Sequence, residues 1–185
     1  MIFNIRGTSG SGKSTIIRRV MESFPVKTPE LTEYRRQPVG YWLGTEENPK
    51  ILYVLGHYET ACGGCDTLPG YDFIFNLVKA KHSISRHILF EGLLVSEETK
   101  RTLDLSLGYG PMMVVHLDTD LMTCLDSIKA RRLARGDTRE LKPANTTNRV
   151  RTINRCCEWL EERGVPVEMH DRESAVVRIL EIING

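Results

Sequence analysis

The sequence has no apolar run approaching the roughly 20 residues that cross a bilayer, so no membrane-spanning helix and no membrane partner are expected. It lacks the basic-then-apolar start of a secretory signal, so a cytoplasmic location is expected. There its five cysteines (62, 65, 124, 156 and 157) are expected to stay reduced. Net charge is also small: 25 Lys and Arg against 24 Asp and Glu leave +1, so bulk charge does not announce a nucleic-acid binder. There is no internal repeat and no low-complexity tract. An Asn-Lys-x-Asp motif is missing too, which argues against a guanine-reading switch. What remains, 41% hydrophobic and 26% charged residues over 185 positions, suits a single globular domain spanning 1–185 with a full core.

Against that background one stretch stands out. Gly7-Thr8-Ser9-Gly10-Ser11-Gly12-Lys13-Ser14 fits G-x-x-x-x-G-K-[ST], the phosphate-binding loop, with Thr15 following. Ile2-Phe3-Asn4-Ile5 before it reads as a buried strand. Ile16, Ile17, Val20, Met21 and Phe24 after it fall near helical spacing. The motif therefore sits between a strand and a helix N-terminus, where backbone N–H groups and the positive helix end hold anions. Lys13 is expected to reach the β- and γ-phosphates of ATP, and Ser14 to ligand Mg²⁺.

The rest of the chain alternates strand and helix signals. The first helix should stop before Pro25, and residues 25–38, with three prolines, read as a loop with a short strand near Val26–Thr28 as an option. Residues 39–43 and 51–55 look like strands around Gly44–Pro49, a hairpin over about 39–55. Helices are expected at 71–85, 96–106, from Asp120 as N-cap to about Gly136, from about Val150 to Gly164, and at 171–183. Strands are expected at 87–90, 111–117 and 165–169. A polar loop should run to Thr146. The expected architecture is α/β: three layers in a P-loop NTPase fold, with a five-stranded, mostly parallel sheet and an added β-hairpin.

Four groups of residues then carry the chemistry. Glu91 ends an apolar strand and can orient Mg²⁺ or take the proton of an attacking hydroxyl; Asp118 ends another strand, but Asp118-Thr119-Asp120 looks like a helix entry. Arg131 and Arg135 share a helical face and can clamp a moving phosphoryl group, as a lid over about 131–146. Residues 131–155 hold eight Lys or Arg against Asp137 and Glu140, a basic face for a polyanion. The loop 56–66 follows a strand end, where open α/β sheets bind ligands, so His57, Tyr58, Gly63, Gly64 and Asp66 are acceptor-site candidates, with Asp72 nearby. Tyr41, Trp42, Tyr53 and Tyr58 are available to line a base pocket. Cys62-x-x-Cys65 has no matching second pair for zinc, and a close-packed turn is the simpler account.

Gly7–Ser14, Phe90-Glu91-Gly92 and Arg131–Gly136 together resemble the nucleoside and nucleotide kinases, thymidylate kinases among them, over most of the chain in element order. Glu91-Gly92 stands where an acidic-Arg pair is usual there. The stretch Gly56-His57-Tyr58 to Gly63-Gly64-Cys65-Asp66 is similar to bacteriophage 5-hydroxymethyluracil DNA kinases. That resemblance implies ATP and Mg²⁺ as cofactors and DNA containing 5-hydroxymethyluracil as the partner. A free nucleoside or nucleotide is the alternative acceptor, and a P-loop switch or binding module the alternative class.

Overall fold

A computed structural model covers residues 1–185 and describes all of them except Ala61 and Cys62. The Cys62–Cys65 motif therefore lies partly outside the described residues. In chain order the elements are β1 Ile2–Arg6, α1 Lys13–Glu22, β2 Val26–Thr32, β3 Arg35–Gly44 and β4 Leu52–Leu55. There follow a 3-10 turn Cys65–Thr67, α2 Tyr71–His82, β5 His87–Glu91, α3 Leu93–Ser96, α4 Lys100–Gly108 and β6 Met112–Leu117. The chain closes with α5 Leu121–Leu133, α6 Pro143–Glu161, β7 Val167–His170 and α7 Arg172–Asn184. Among the described residues no helix is long and apolar enough to cross a membrane.

The sheet has seven strands in the order β2-β3-β4-β5-β1-β6-β7, not the five expected. Strands β4, β5, β1, β6 and β7 run parallel, and β2 and β3 are antiparallel additions at one edge. The hairpin of β3 and β4 is present, but β4 is itself a member of the parallel set. The added unit is β2 with β3, in a region that reads as a loop because of its prolines. Pro29 is tolerated because β2 is the edge strand, and Pro38 falls in the irregular stretch between the Glu30–Gly40 and Thr32–Arg35 pairs.

Side-chain alternation along the central strands builds the layers. Ile2, Ile88, Phe90 and Val114 face one core with Ile74, Leu105, Ile153 and Leu160 from α2, α4 and α6. Phe3, Ile5, Leu89 and Val115 face the other with Ile16, Val20, Val176 and Ile179 from α1 and α7. Tyr41, Trp42, Tyr53 and Tyr58 are all buried in these cores rather than open to a ligand, a correction to the base-pocket expectation. Trp42 and Tyr53 meet edge to face at 4.6 Å, with the Lys81 ammonium over both rings.

Candidate active site

The parallel strands end on one edge, and β1 and β5 are neighbours there with Ile5 opposite Glu91. That register puts the loop after β1 beside the carboxylate at the end of β5. Gly10 and Gly12 take positive φ values of 81° and 101°, so the loop turns tightly without a Cβ clash. Gly12 is the N-cap of α1 and no side chain caps that helix, leaving its first N–H groups for an anion.

The loop carbonyls are occupied from within. Lys13 Nζ donates to Gly7 O at 2.8 Å and Thr8 O at 3.0 Å. Arg172, the first residue of α7, donates from Nε to Ser11 O at 2.9 Å and from Nη2 to Gly10 O at 3.1 Å. Thr119 adds a bond to Ser11 O at 3.1 Å. With its acceptors satisfied, the loop presents donors and positive charge to the cavity.

Ser14 Oγ donates to Glu91 Oε1 at 2.8 Å, and Glu91 is only 2% exposed. Burial pushes the Glu91 carboxyl above its ordinary value, opposed by the Lys13 charge and the Ser14 hydrogen bond. Burial likewise pushes the Lys13 ammonium down, opposed chiefly by Glu91. Each group's charge thus opposes part of the desolvation that burial imposes on the other. Oxygen donors of this kind suit Mg²⁺, which takes most of its remaining ligands from phosphate and water. Among the described residues no cluster of three acidic, His or Cys ligands exists.

A cavity of about 340 Å³ opens over this pair, bordered by Gly10, Arg18, Gly63, Asp66, Arg131 and Arg172. A second of about 550 Å³ lies between the loop and the segment after α5, with Arg131, Arg132, Arg135, Arg139, Lys142 and Arg149 on its walls. Arg131 borders both cavities, and its Nε is buried with no hydrogen-bond partner among the described residues. A strand-loop-helix phosphate cradle, a buried carboxylate and a flanking arginine form a phosphoryl-transfer arrangement.

No protein-family model matches the sequence. It is 42% identical over 185 residues to the 5-hmdU DNA kinase of Pseudomonas phage PaMx11, covering 100% of this chain and 97% of the relative. The chain belongs to the 5-hmdU DNA kinase family. Kinases of the same name from Pseudomonas phage M6 and Delftia phage PhiW-14 are 28% and 24% identical, over 98% and 100% of this chain and 97% and 73% of the relatives. A solved deoxyadenosine kinase from M. mycoides with bound dATP aligns over 100% of both chains at 18% identity and a TM-score of 0.42, too low to carry an argument.

For a 5-hmdU DNA kinase, the structure brings some of the acceptor candidates together and not others. Gly63 and Asp66 border the first cavity. Asp66 also accepts from Leu93 N at 2.9 Å and Leu94 N at 3.0 Å, so its carboxylate caps α3. Gly64 has φ 73°, and a Cβ there would stand 2.4 Å from Glu91 Oε1, so the loop lies directly on the carboxylate. His57 is buried beneath the loop, 3.5 Å from Glu59. The Tyr58 phenol is buried without a partner among the described residues. Asp72 stands apart, exposed and paired with Arg101 at 2.9 Å. Arg135 borders the second cavity but not the first.

The residue reading overlooked Arg18, Arg172 and Ser96. Arg18 holds the acceptor loop through Tyr58 O at 3.1 Å and Thr60 O at 2.7 Å. It lies one helical turn from Ser14, a spacing that marked it. Arg172 follows β7 directly, at the strand edge where ligands gather. Ser96 Oγ bridges to Gly7, and nothing local in the sequence points to it.

Proposed function

We propose that this protein transfers the γ-phosphoryl group of ATP to the 5-hydroxymethyl oxygen of 5-hydroxymethyl-deoxyuridine in DNA, giving 5-phosphomethyl-deoxyuridine and ADP. The γ-phosphorus leaves its bridging oxygen to ADP and bonds to the hydroxymethyl oxygen, whose proton passes to Glu91. The observation that carries the chemistry is the buried Ser14–Glu91 contact at 2.8 Å beside the phosphate loop. The acceptor is supported by the family.

Gly7 to Thr15 would cradle the phosphates, with Lys13 turning from the loop carbonyls to the β/γ oxygens. Ser14 would hold Mg²⁺, with Glu91 orienting it through water so that the carboxylate stays available as the base, and the ion when bound neutralises phosphate charge. Arg131, bare at Nε, would close on the transferring group, with Arg135 supporting it from the lid over 131–146. Gly63, Gly64 and Asp66 would wall the acceptor. His57 and Tyr58 would support that wall from below, and Asp72, exposed and paired with Arg101, would take no part in it.

Labelled ATP with Mg²⁺, offered 5-hydroxymethyluracil DNA, ordinary DNA and free nucleosides and nucleotides, tests the reading. Label is expected on the modified DNA alone, and Lys13→Ala should lower transfer at least about 100-fold while the fold survives. Label on a free nucleotide alone would overturn the DNA acceptor. ATP bound but transferred to nothing would indicate a switch or binding module.

A further inference from the structure

The β2–β3 hairpin is the largest feature that the site leaves unused. Gly40 of β3 pairs with Leu55, the last residue of β4. Residues 35–39 therefore continue past the carboxyl end of β4, and at about 3.4 Å per residue they carry the turn roughly 17 Å beyond it. This is the edge that holds the phosphate loop and Glu91. At the turn Tyr34 is 93% exposed and Leu31 62%, whereas the hairpin's other aromatic residues are buried. A side chain so exposed adds nothing to the core.

The hairpin is tied to the acceptor wall. Arg35 Nη2 donates to Thr67 O at 2.6 Å, and Thr67 adjoins Asp66 at the cavity rim. Arg35 Nε is buried without a partner among the described residues. Arg36 is exposed and makes no ion pair among the described residues. Glu33 is the acid at the turn, and Glu30 is already neutralised by Lys81 at 2.5 Å. The tip thus offers an aromatic ring, an aliphatic side chain and a guanidinium outside any ion pair among the described residues, on a hairpin that Arg35 ties to the residue after Asp66.

Glu91 lies too deep to meet a base that stays in a helix, so a duplex target has to be extruded, and extrusion leaves a gap in the stack. Apolar or aromatic side chains inserted at such steps offset the lost stacking. We propose that the β2–β3 hairpin is a duplex-DNA wedge: Tyr34, backed by Leu31, fills the vacated position, and Arg36 holds a neighbouring phosphate. The proposal rests on the DNA-acceptor reading above. It predicts a device that a single strand, already unstacked, does not need.

The test uses the full chain and one oligonucleotide containing 5-hydroxymethyluracil, single-stranded or annealed, with 2-aminopurine beside the target as a stacking reporter. Tyr34→Ala should lower kcat/KM on the duplex about 10-fold or more and on the single strand by less than about threefold. It should also abolish the fluorescence rise on duplex binding, and Tyr34→Phe should restore both. An unchanged duplex rate, or equal loss on both substrates, would overturn the wedge. So would a wild-type enzyme that acts on single strands alone, while leaving the DNA-kinase reading intact. Wild-type transfer to free nucleosides and to neither DNA would overturn the reading and the wedge together.

Discussion

At the scale of single residues, the site is built by close approach. Gly64 lies on Glu91 because it has no side chain: a Cβ would stand 2.4 Å from Oε1 and 2.7 Å from the Glu91 carbonyl, and φ is 73°. Gly64→Ala is therefore expected to cost about 1–2 kcal/mol in backbone strain and to push the carboxylate off Ser14. A displacement near an ångström can cost about 100-fold, so kcat should fall by about 10- to 100-fold, with ATP affinity retained. Single-turnover kinetics beside ATP titration check this, and an unchanged kcat would free Glu91 from needing that position. The phosphate loop and Glu91 were legible in the sequence because each is set by a local pattern, a glycine spacing or a strand end. Arg172 and Ser96 were not, because they reach the loop from 89 to 162 residues away in the chain. Asp66 and Asp72 look alike in sequence, and only the fold separates a cavity-rim cap from an exposed ion pair.

At the scale of elements, Arg6 joins β1 to the α3–α4 segment from inside the core. It is fully buried, and its donors reach Asn4 Oδ1 at 2.6 Å, Ser96 O at 3.2 Å, Glu98 O at 2.5 Å and Thr102 Oγ1 at 2.7 Å. No carboxylate faces it within ion-pair distance among the described residues, so desolvation dominates and lowers its pKa. Arg6→Met would remove that desolvation cost but leave Ser96 O and the buried Asn4 Oδ1 without a donor, while Glu98 O keeps its bond from Thr102 Oγ1 at 2.9 Å; each stranded acceptor costs roughly 1–3 kcal/mol. The expected result is a fall in Tm of several degrees, given about 2–4 °C per kcal/mol at this size. Because Ser96 also bridges to Gly7, ATP affinity should weaken with it. A variant of unchanged Tm would mean that methionine packing compensates for the lost bonds. Element boundaries were legible where burial imposes a period and obscure where it does not. β2 is largely solvent-facing, so no alternation marked it. α6 starts at Pro143 rather than near Val150, its first turns rich in Asn and Thr that read as loop. Proline suits a first helical position, and Thr147 and Thr152 bond back to the carbonyls four residues earlier.

At the scale of the whole molecule, a net charge of +1 conceals segregation: the eight cations of residues 131–155 lie along the end of α5, the segment after it and α6. Some serve the fold locally. Arg132 Nη1 ties down the segment after α5 through Arg139 O at 3.0 Å and Glu140 O at 3.2 Å, and Asp137 pairs with Arg139 at 2.7 Å, which holds its carboxyl far below the usual range. Arg149 pairs with Glu97 at 2.9 Å, but a half-exposed pair of this kind contributes only about 0–1 kcal/mol. Arg151 is exposed on α6. In the reading proposed above, the surplus would be available to a polyanion running past this segment, while Lys13 and Arg131 would meet the nucleotide phosphates at the loop. Each phosphate contact on duplex DNA adds about 0.9 to the slope of log affinity against log salt. Arg149→Ala with Arg151→Ala is thus expected to reduce that slope by about one unit per arginine and to leave ATP affinity unchanged. Salt-titrated binding to a 5-hydroxymethyluracil duplex, set beside ATP titration on the same variant, separates the cases. Equal weakening of both would move these arginines from the DNA face to the nucleotide side of the lid. A flat slope alongside intact ATP binding would instead carry the DNA path away from α6, towards the hairpin at the opposite edge of the sheet.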